Sequence, residues 1–480
     1  MDRGARLGTR YDRALRALGW LAFAGILSCA LHDASQAFDG WYYHLKFAGR
    51  LVGMLPESSL VFHHENQDRY AGFALLAEVF QGLLWKLTGR AESANLVAFV
   101  SVPLVAWFMQ RRWKVPAPVT MLALFAIPLV HTHAASLYVD LPGNAAASVL
   151  VLLVIDAYAS DEPLPPFDVV LALATGAIAA NIKPMLQPTV GLSLLAILVR
   201  AARDPRTRRL ALAMVLASPL VLFTPLRNAI VHHNPFFPIG THLLGVDLPG
   251  PQEPYSYAPA WLEHAPRPLR FLASLLEIGL RPLRDPRRWT VDQWMPEASG
   301  ANRLGGFFNA YVVVLLVVFV TRVARGTSRL ERVSGVVFAL FTGLISVMPQ
   351  SHELRYYMSW MIVLVCLDLG LACRTAARPF TPGLRTLGTL AALSFMVVVA
   401  STRAAYVLPR GLTVKELVEA KVDEGRLGEV KDGERICVRR PPFNMLWTDV
   451  FHAPRHYTVV EAENPEDCGD VRDVDSLGHP

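Results

Sequence analysis

Charge is what this chain has least of: Asp, Glu, Lys and Arg make up 18% of its 480 residues against 53% hydrophobic, and the mean hydropathy is +0.33. That excludes an ordinary soluble protein, in which about 25% of residues are charged. Also missing are a Gly-x-Gly-x-x-Gly loop and a phosphate loop ending in Gly-Lys-Ser/Thr, the common devices for cradling a dinucleotide or a nucleoside triphosphate. Cysteine is scarce. Cys29, Cys366 and Cys373 lie in or at the ends of apolar runs, where cysteine acts as a small hydrophobe. Cys437 and Cys468 fall in a polar C-terminal stretch, either as a disulfide in an oxidising compartment or as two free thiols.

What is present is a series of apolar runs separated by arginines. The net charge of +6 and pI near 9.1 do not indicate nucleic acid, because the arginines fall in short loops where they orient a membrane protein. Arg3, Arg6, Arg10, Arg13 and Arg16 precede a run at 17–31, which keeps the amino terminus cytoplasmic. No convincing cleavage site follows, so the run reads as a retained anchor. The loops at Arg111–Lys114, Arg200–Arg209, Arg322–Arg332 and Arg374–Arg385 are cytoplasmic on the same rule. Further spans are expected near 93–110, 117–133, 143–159, 167–182, 188–200, 209–226, 304–322, 333–348, 356–373 and 385–402, about eleven with the first. The expected fold class is an all-α polytopic membrane protein with external surface helices and a small soluble C-terminal α/β tail.

Residues 71–88 contain Glu78, Gln81 and Lys86, and a crossing there would invert every later loop, so this stretch is expected to lie on the outer surface. It belongs to a first external loop, 32–92. A second, 227–303, contains the short apolar stretch 271–280 between Arg267, Arg270, Arg281, Arg284, Arg287 and Arg288. An odd number of spans leaves the polar tail, 403–480, outside, with a strand at 435–439. The domain division is thus 1–402 and 403–480.

With sidedness assigned, polar residues collect at the outer ends of the spans. Asp39 and His44 stand in Phe38-Asp39-Gly40-Trp41-Tyr42-Tyr43-His44, and Asp140 in Tyr138-Val-Asp140-Leu-Pro-Gly-Asn144. Lys183 precedes Pro184, Arg227-Asn228 leads into His232-His233-Asn234-Pro-Phe-Phe-Pro238, and His352-Glu353-Leu-Arg355-Tyr356 comes last. Each has a plainer reading. Asp39 suits a solvated loop, Lys183 and Arg355 could snorkel to head groups, Asp140 could open a turn, and 232–238 could be a rigid exit from the membrane. Together they gather acids and cations at one face, whereas a transporter places its ionisable groups near mid-membrane.

These motifs resemble those of GT-C membrane glycosyltransferases, in particular the protein O-mannosyltransferase and aminoarabinose transferase-like families. The likeness runs over roughly residues 15–375. It rests on Asp39 followed by aromatics and Tyr43-His44-Leu45, a second external acid at Asp140, Lys183-Pro184, Arg227-Asn228 with Asn234-Pro-Phe-Phe-Pro238, and Arg355-Tyr356. The resemblance implies surface helices at about 40–53 and 71–88. Val139-Asp140-Leu141 departs from an Asp-x-Asp pattern, which argues against a tightly held metal there; the metal is left unassigned, with a divalent cation one option.

The implied activity is transfer of a hexose or pentose from a polyprenyl-phosphate donor to an extracytoplasmic glycan, lipid or protein. Asp39 would act as base with Asp140 supporting it, and Lys183, Arg227 and Arg355 would bind the donor phosphate. Tyr43, His44, His232, His233, His352 and Glu353 would contact substrate. The implied location is the inner (plasma) membrane. A transporter or flippase of a lipid-linked sugar is the alternative, and an assembly subunit working through its tail is a third.

Overall fold

The computed structural model describes residues 10–35, 37–243, 245–253, 258, 260–276, 294–297, 300–303, 309–375, 381–439 and 441–474. Arg3, Arg6, Arg281, Arg284, Arg287, Arg288 and the end of the 271–280 stretch lie outside them.

The first half of the chain forms α1 (Arg10–His32), α2 (Leu45–Leu51), β1 (Leu60–Val61), α3 (His64–Gly72), α4 (Leu76–Thr88), α5 (Leu96–Phe108), α6 (Ala117–Phe125), α7 (Pro128–His133), α8 (Asp140–Ala159), α9 (Pro166–Ala180), α10 (Gln187–Arg203), α11 (Arg208–Val221) and α12 (Phe223–His232). Two hairpins, β2–β3 (Thr241–Leu243, Val246–Leu248) and β4–β5 (Trp294–Glu297, Gly300–Arg303), flank α13 (Arg267–Leu275). Then come α14 (Asn309–Ala324), α15 (Arg329–Val347), α16 (Met358–Arg374) and α17 (Leu384–Ser401). The C-terminal segment carries α18 (Val414–Lys421), α19 (Glu424–Gly428), β6 (Arg435–Val438), β7 (Thr458–Glu461) and β8 (Arg472–Asp473).

The protein is a multi-pass membrane protein, but the expected eleven spans are not reached on length and apolarity. Among the described residues seven helical runs of 18 to 23 residues qualify, and an eighth if α11 and α12, bent by 54°, are one crossing. Pro166–Ala180 and Ala310–Ala324 are apolar but shorter, and the 117–133 run is broken between α6 and α7, where Pro128 starts a new helix. The hydrophobic runs were legible; their helical lengths depend on where proline and turns interrupt them.

α8 is the centre of the bundle. It is apolar all round, so no stripe needs to face outward, and 17 of its 20 residues are buried. α5, α9, α10, α15 and α16 pack around it. The arginine-rich loops converge at one end. Arg112 reaches Asp168 at 2.5 Å, Arg374 reaches Asp156 at 2.8 Å and lies over the Trp113 ring, Arg329 pairs with Asp161, and Arg385 grips Asp12 bidentately at 2.9 Å.

At the opposite end the stretch 71–88 is not one helix. The Ala71 and Gly72 carbonyls accept the Arg227 and Asn228 side chains, Phe73 is extended, and the helix restarts as α4. α4 turns Glu78, Gln81 and Trp85 inward and leaves Phe80, Leu83 and Leu87 exposed. It approaches α2 closely because position 82 is glycine: a Cβ there would lie 2.3 Å from the Ala48 carbonyl oxygen. The 40–53 surface helix is a wide turn, Gly40–His44, followed by the shorter α2.

The C-terminal segment does not stand apart from this loop. Its sheet is parallel, in the order β1-β7-β6-β8, with β1 supplied from the first loop. Trp41, Phe47, Leu60 and Trp85 share one apolar core with Leu417, Ile436, Leu446 and Val459. Lys46, wholly buried, pairs with Glu461 and donates to Asn444 at 2.8 Å. Cys437 and Cys468 are joined by a disulfide, while Cys29 and Cys366 are buried and free in helices.

Candidate active site

Two ion pairs define the end of the bundle remote from the arginine loops. Asp39 sits at the start of the Gly40–His44 turn, 8% exposed, and Arg355 Nη1 donates to its Oδ2 at 3.1 Å. Arg355 comes from a 3-10 turn, Leu354–Tyr357, leading into α16. Its Nε reaches Glu353 Oε2 at 3.3 Å, its Nη2 donates to the Tyr356 hydroxyl at 2.8 Å, and its guanidinium lies over the Tyr138 and Tyr356 rings. Planar stacking with forked donation is a geometry lysine could not reproduce. Asn144 fixes this turn to α8: its amide nitrogen donates to the Asp140 and Arg355 carbonyls, and its oxygen accepts the Ser359 amide at 2.9 Å.

The second pair is Lys183 with Asp140, 3.1 Å apart. Asp140 is fully buried in the first turn of α8 and makes no side-chain cap. Asp140 thus opens α8, as the plainer reading had it, and its carboxylate also pairs with Lys183. Lys183 lies between α9 and the Pro184–Leu186 turn, with its ammonium 5.2 Å from the Tyr356 ring centre. One aromatic residue, Tyr356, thus stands between the two cations.

His44 is held by an acid that sequence reasoning passed over. Its Nδ1 lies 2.7 Å from Glu78 Oε1, both side chains 2% exposed, and its ring packs against Tyr43 and Tyr138. Burial, reinforced by the Asp39 charge, raises the Tyr43 phenol well above its ordinary value, so it is a neutral hydrogen-bonding group. Tyr138 accepts the Asp39 backbone amide at 3.4 Å and packs on His133. Glu78, Tyr138 and His133 all had a signal: Glu78, Gln81 and Trp85 share one helical face, and two histidines interrupt the apolar run at 117–133.

Other candidates go elsewhere. Arg227 donates to the Ala71 carbonyl at 2.5 Å and to Asn228, pinning the end of α3. His232 stacks on Phe237 at 3.8 Å, and His233 ends α12 in a left-handed conformation. His232 thus lies against the Asn234-Pro-Phe-Phe-Pro238 turn. His352 is buried and its carbonyl accepts Ser274 Oγ, while Glu353 lies beside Arg355. Asp39 and Asp140 each face a cation of their own, not each other.

A protein-family model described as "Domain of unknown function (DUF8201)" matches residues 85–362, more than half the chain and including Asp140, Lys183 and Arg355. The chain belongs to this family. No curated protein matches it. Among solved structures it is similar to ArnT from Cupriavidus metallidurans bound to undecaprenyl phosphate, with a TM-score of 0.52 and 11% identity over 98% of this chain and 90% of that one. Apo ArnT from the same organism gives a TM-score of 0.51 and 11% identity over 97% and 89%. These likenesses show that the chain has the fold of ArnT, a fold of the kind the GT-C resemblance leads one to expect.

Proposed function

We propose that this protein is a glycosyltransferase that moves a sugar from a polyprenyl-phosphate carrier to an acceptor outside the cytoplasm. The observation that carries this reading is the pairing of two buried acids with two cations at one end of a GT-C bundle, Asp39 with Arg355 and Asp140 with Lys183. The undecaprenyl phosphate in the ArnT complex supports a carrier of that chemistry. The Cys437–Cys468 disulfide supports an oxidising side for the C-terminal segment. The opposite, arginine-rich end then faces the cytoplasm across an inner (plasma) membrane. α9, α14 and the α6–α7 pair supply the further crossings of an eleven-span topology.

The chemistry follows from charge. As the bond from the anomeric carbon to the phosphate oxygen breaks, the electron pair leaves with polyprenyl phosphate, and Lys183 and Arg355 receive that developing charge. Arg355 satisfies Asp39 until a phosphate competes for it. Drawing the guanidinium toward phosphate leaves the Asp39 carboxylate to accept the proton of the attacking hydroxyl or amine. His44, oriented by Glu78, and Tyr43 contact the sugar or acceptor; Arg227 holds the loop that forms the wall. Asp140 keeps Lys183 in place.

The test is reconstituted wild-type protein given a polyprenyl-phosphate donor carrying a labelled sugar, together with candidate acceptors. Formation of free polyprenyl phosphate with label on the acceptor supports a transferase. Movement of intact donor between leaflets with no bond cleavage would replace it with a flippase.

A further inference from the structure

Beside Tyr42 of the Gly40–His44 turn, the first loop meets the C-terminal segment through a second group of ionisable side chains. A ring nitrogen of His63 and one carboxylate oxygen each of Glu65 and Glu463 lie within 4.8 Å of one another. The His63 side chain is only 10% exposed, and its Nδ1 has no hydrogen-bond partner. A buried imidazole nitrogen left in this state is costly unless something binds it. Its Nε2 lies 3.5 Å from Asp467 Oδ2, and the His63 backbone is fixed by Glu461 Oε2, which accepts its amide at 3.2 Å.

The carboxylates are also short of positive charge. Tyr42 directs its one hydroxyl proton at both Glu65 and Glu463 and cannot satisfy two acids. Arg69 pairs with Glu65, and the nearby Lys46 is committed to Glu461.

We propose that His63, Glu65 and Glu463 bind a divalent first-row transition cation that clamps the C-terminal segment to the first loop. One imidazole and two carboxylates form a donor set suited to Zn²⁺ or Mn²⁺. Glu463 supplies the ligand from the C-terminal segment, two residues beyond β7, and Tyr42 connects the cation to a turn that begins at Asp39. The clamp is independent of the proposed sugar transfer, since none of its ligands belongs to the acid–cation cluster.

The test uses the full chain, purified without a metal-binding tag, treated with chelator and titrated calorimetrically with ZnCl₂ and with MnCl₂. Wild type is expected to bind one equivalent of at least one of these ions. Glu463→Gln, which changes an exposed side chain and keeps an acceptor for Tyr42, is expected to weaken binding at least tenfold, as is His63→Ala, while Glu466→Gln leaves it unchanged. Absence of saturable binding of either ion to wild type would overturn the proposal, as would equal affinity in Glu463→Gln.

Discussion

Lys46 joins the first loop to the C-terminal segment through two buried polar contacts. It is wholly buried, pairs with Glu461 and bonds to Asn444. Burial lowers its pKa, with the Glu461 charge opposing the shift, so the attraction does not fully repay desolvation. The pair therefore adds no net stability over an uncharged pair, but removing one half alone is expensive. Lys46→Met leaves Glu461 buried without its cation, a loss of about 3–5 kcal/mol. Where sub-global opening governs exchange, that makes amide hydrogen exchange in β6 and β7 about 10²- to 10⁴-fold faster. The double variant Lys46→Met/Glu461→Gln removes both charges and keeps an acceptor for Asn66 and the His63 amide, which Glu461 now serves. It is expected to recover most of the protection. Mass-spectrometric exchange on wild type, single and double variants checks this. Exchange in Lys46→Met within fivefold of wild type, or a double variant no better than the single, would refute the reasoning.

Lys183→Met is expected to weaken binding of polyprenyl phosphate about 10- to 100-fold, from loss of one charge-assisted hydrogen bond; equilibrium binding in lipid measures it, and Lys183→Met/Asp140→Asn controls for the buried carboxylate left behind. Cys437→Ser opens a link of sequence separation 31 and should cost the C-terminal segment about 3–4 kcal/mol, read as trypsin cleavage within 403–474 under conditions where wild type resists. The Asp467 pKa is lowered, chiefly by the Asn464 amide it accepts. The stability it contributes is therefore complete above the ordinary value of 3.8 and is lost as pH falls through its lower folded value. Exchange at the Cys468 turn should rise over that acidic window in wild type and show a flatter dependence in Asp467→Asn.

The sites differ in how far sequence reasoning could see them. Asp39, Asp140, Lys183 and Arg355 were visible because ionisable residues at the ends of apolar runs are costly without a purpose, and sidedness placed them at one face before any contact was known. Their pairing was not visible, since Asp39 and Arg355 are brought together by helices far apart in the chain. Glu78 was passed over for a local reason: in an apolar stretch it served to argue against a span, while the break at Phe73 and the glycine at 82 turn that face inward onto His44. Arg227 and His232 matched a motif, and their contacts are local, Arg227 with Ala71 and Asn228 and His232 with the Phe237 ring. The union of tail and loop had no sequence signal, because a two-residue strand such as β1 carries no periodicity and Lys46 has no partner near it in sequence.

The central claim is that Asp39 takes the acceptor proton during transfer from a lipid-linked sugar. The direct test compares wild type with Asp39→Asn at equal folded yield, measuring donor binding and sugar transfer on the same preparations. The expected result is donor affinity within a few fold of wild type and transfer reduced at least 10²-fold. Equal transfer by the two proteins would contradict the claim and move the search for the base to Asp140 and Glu353.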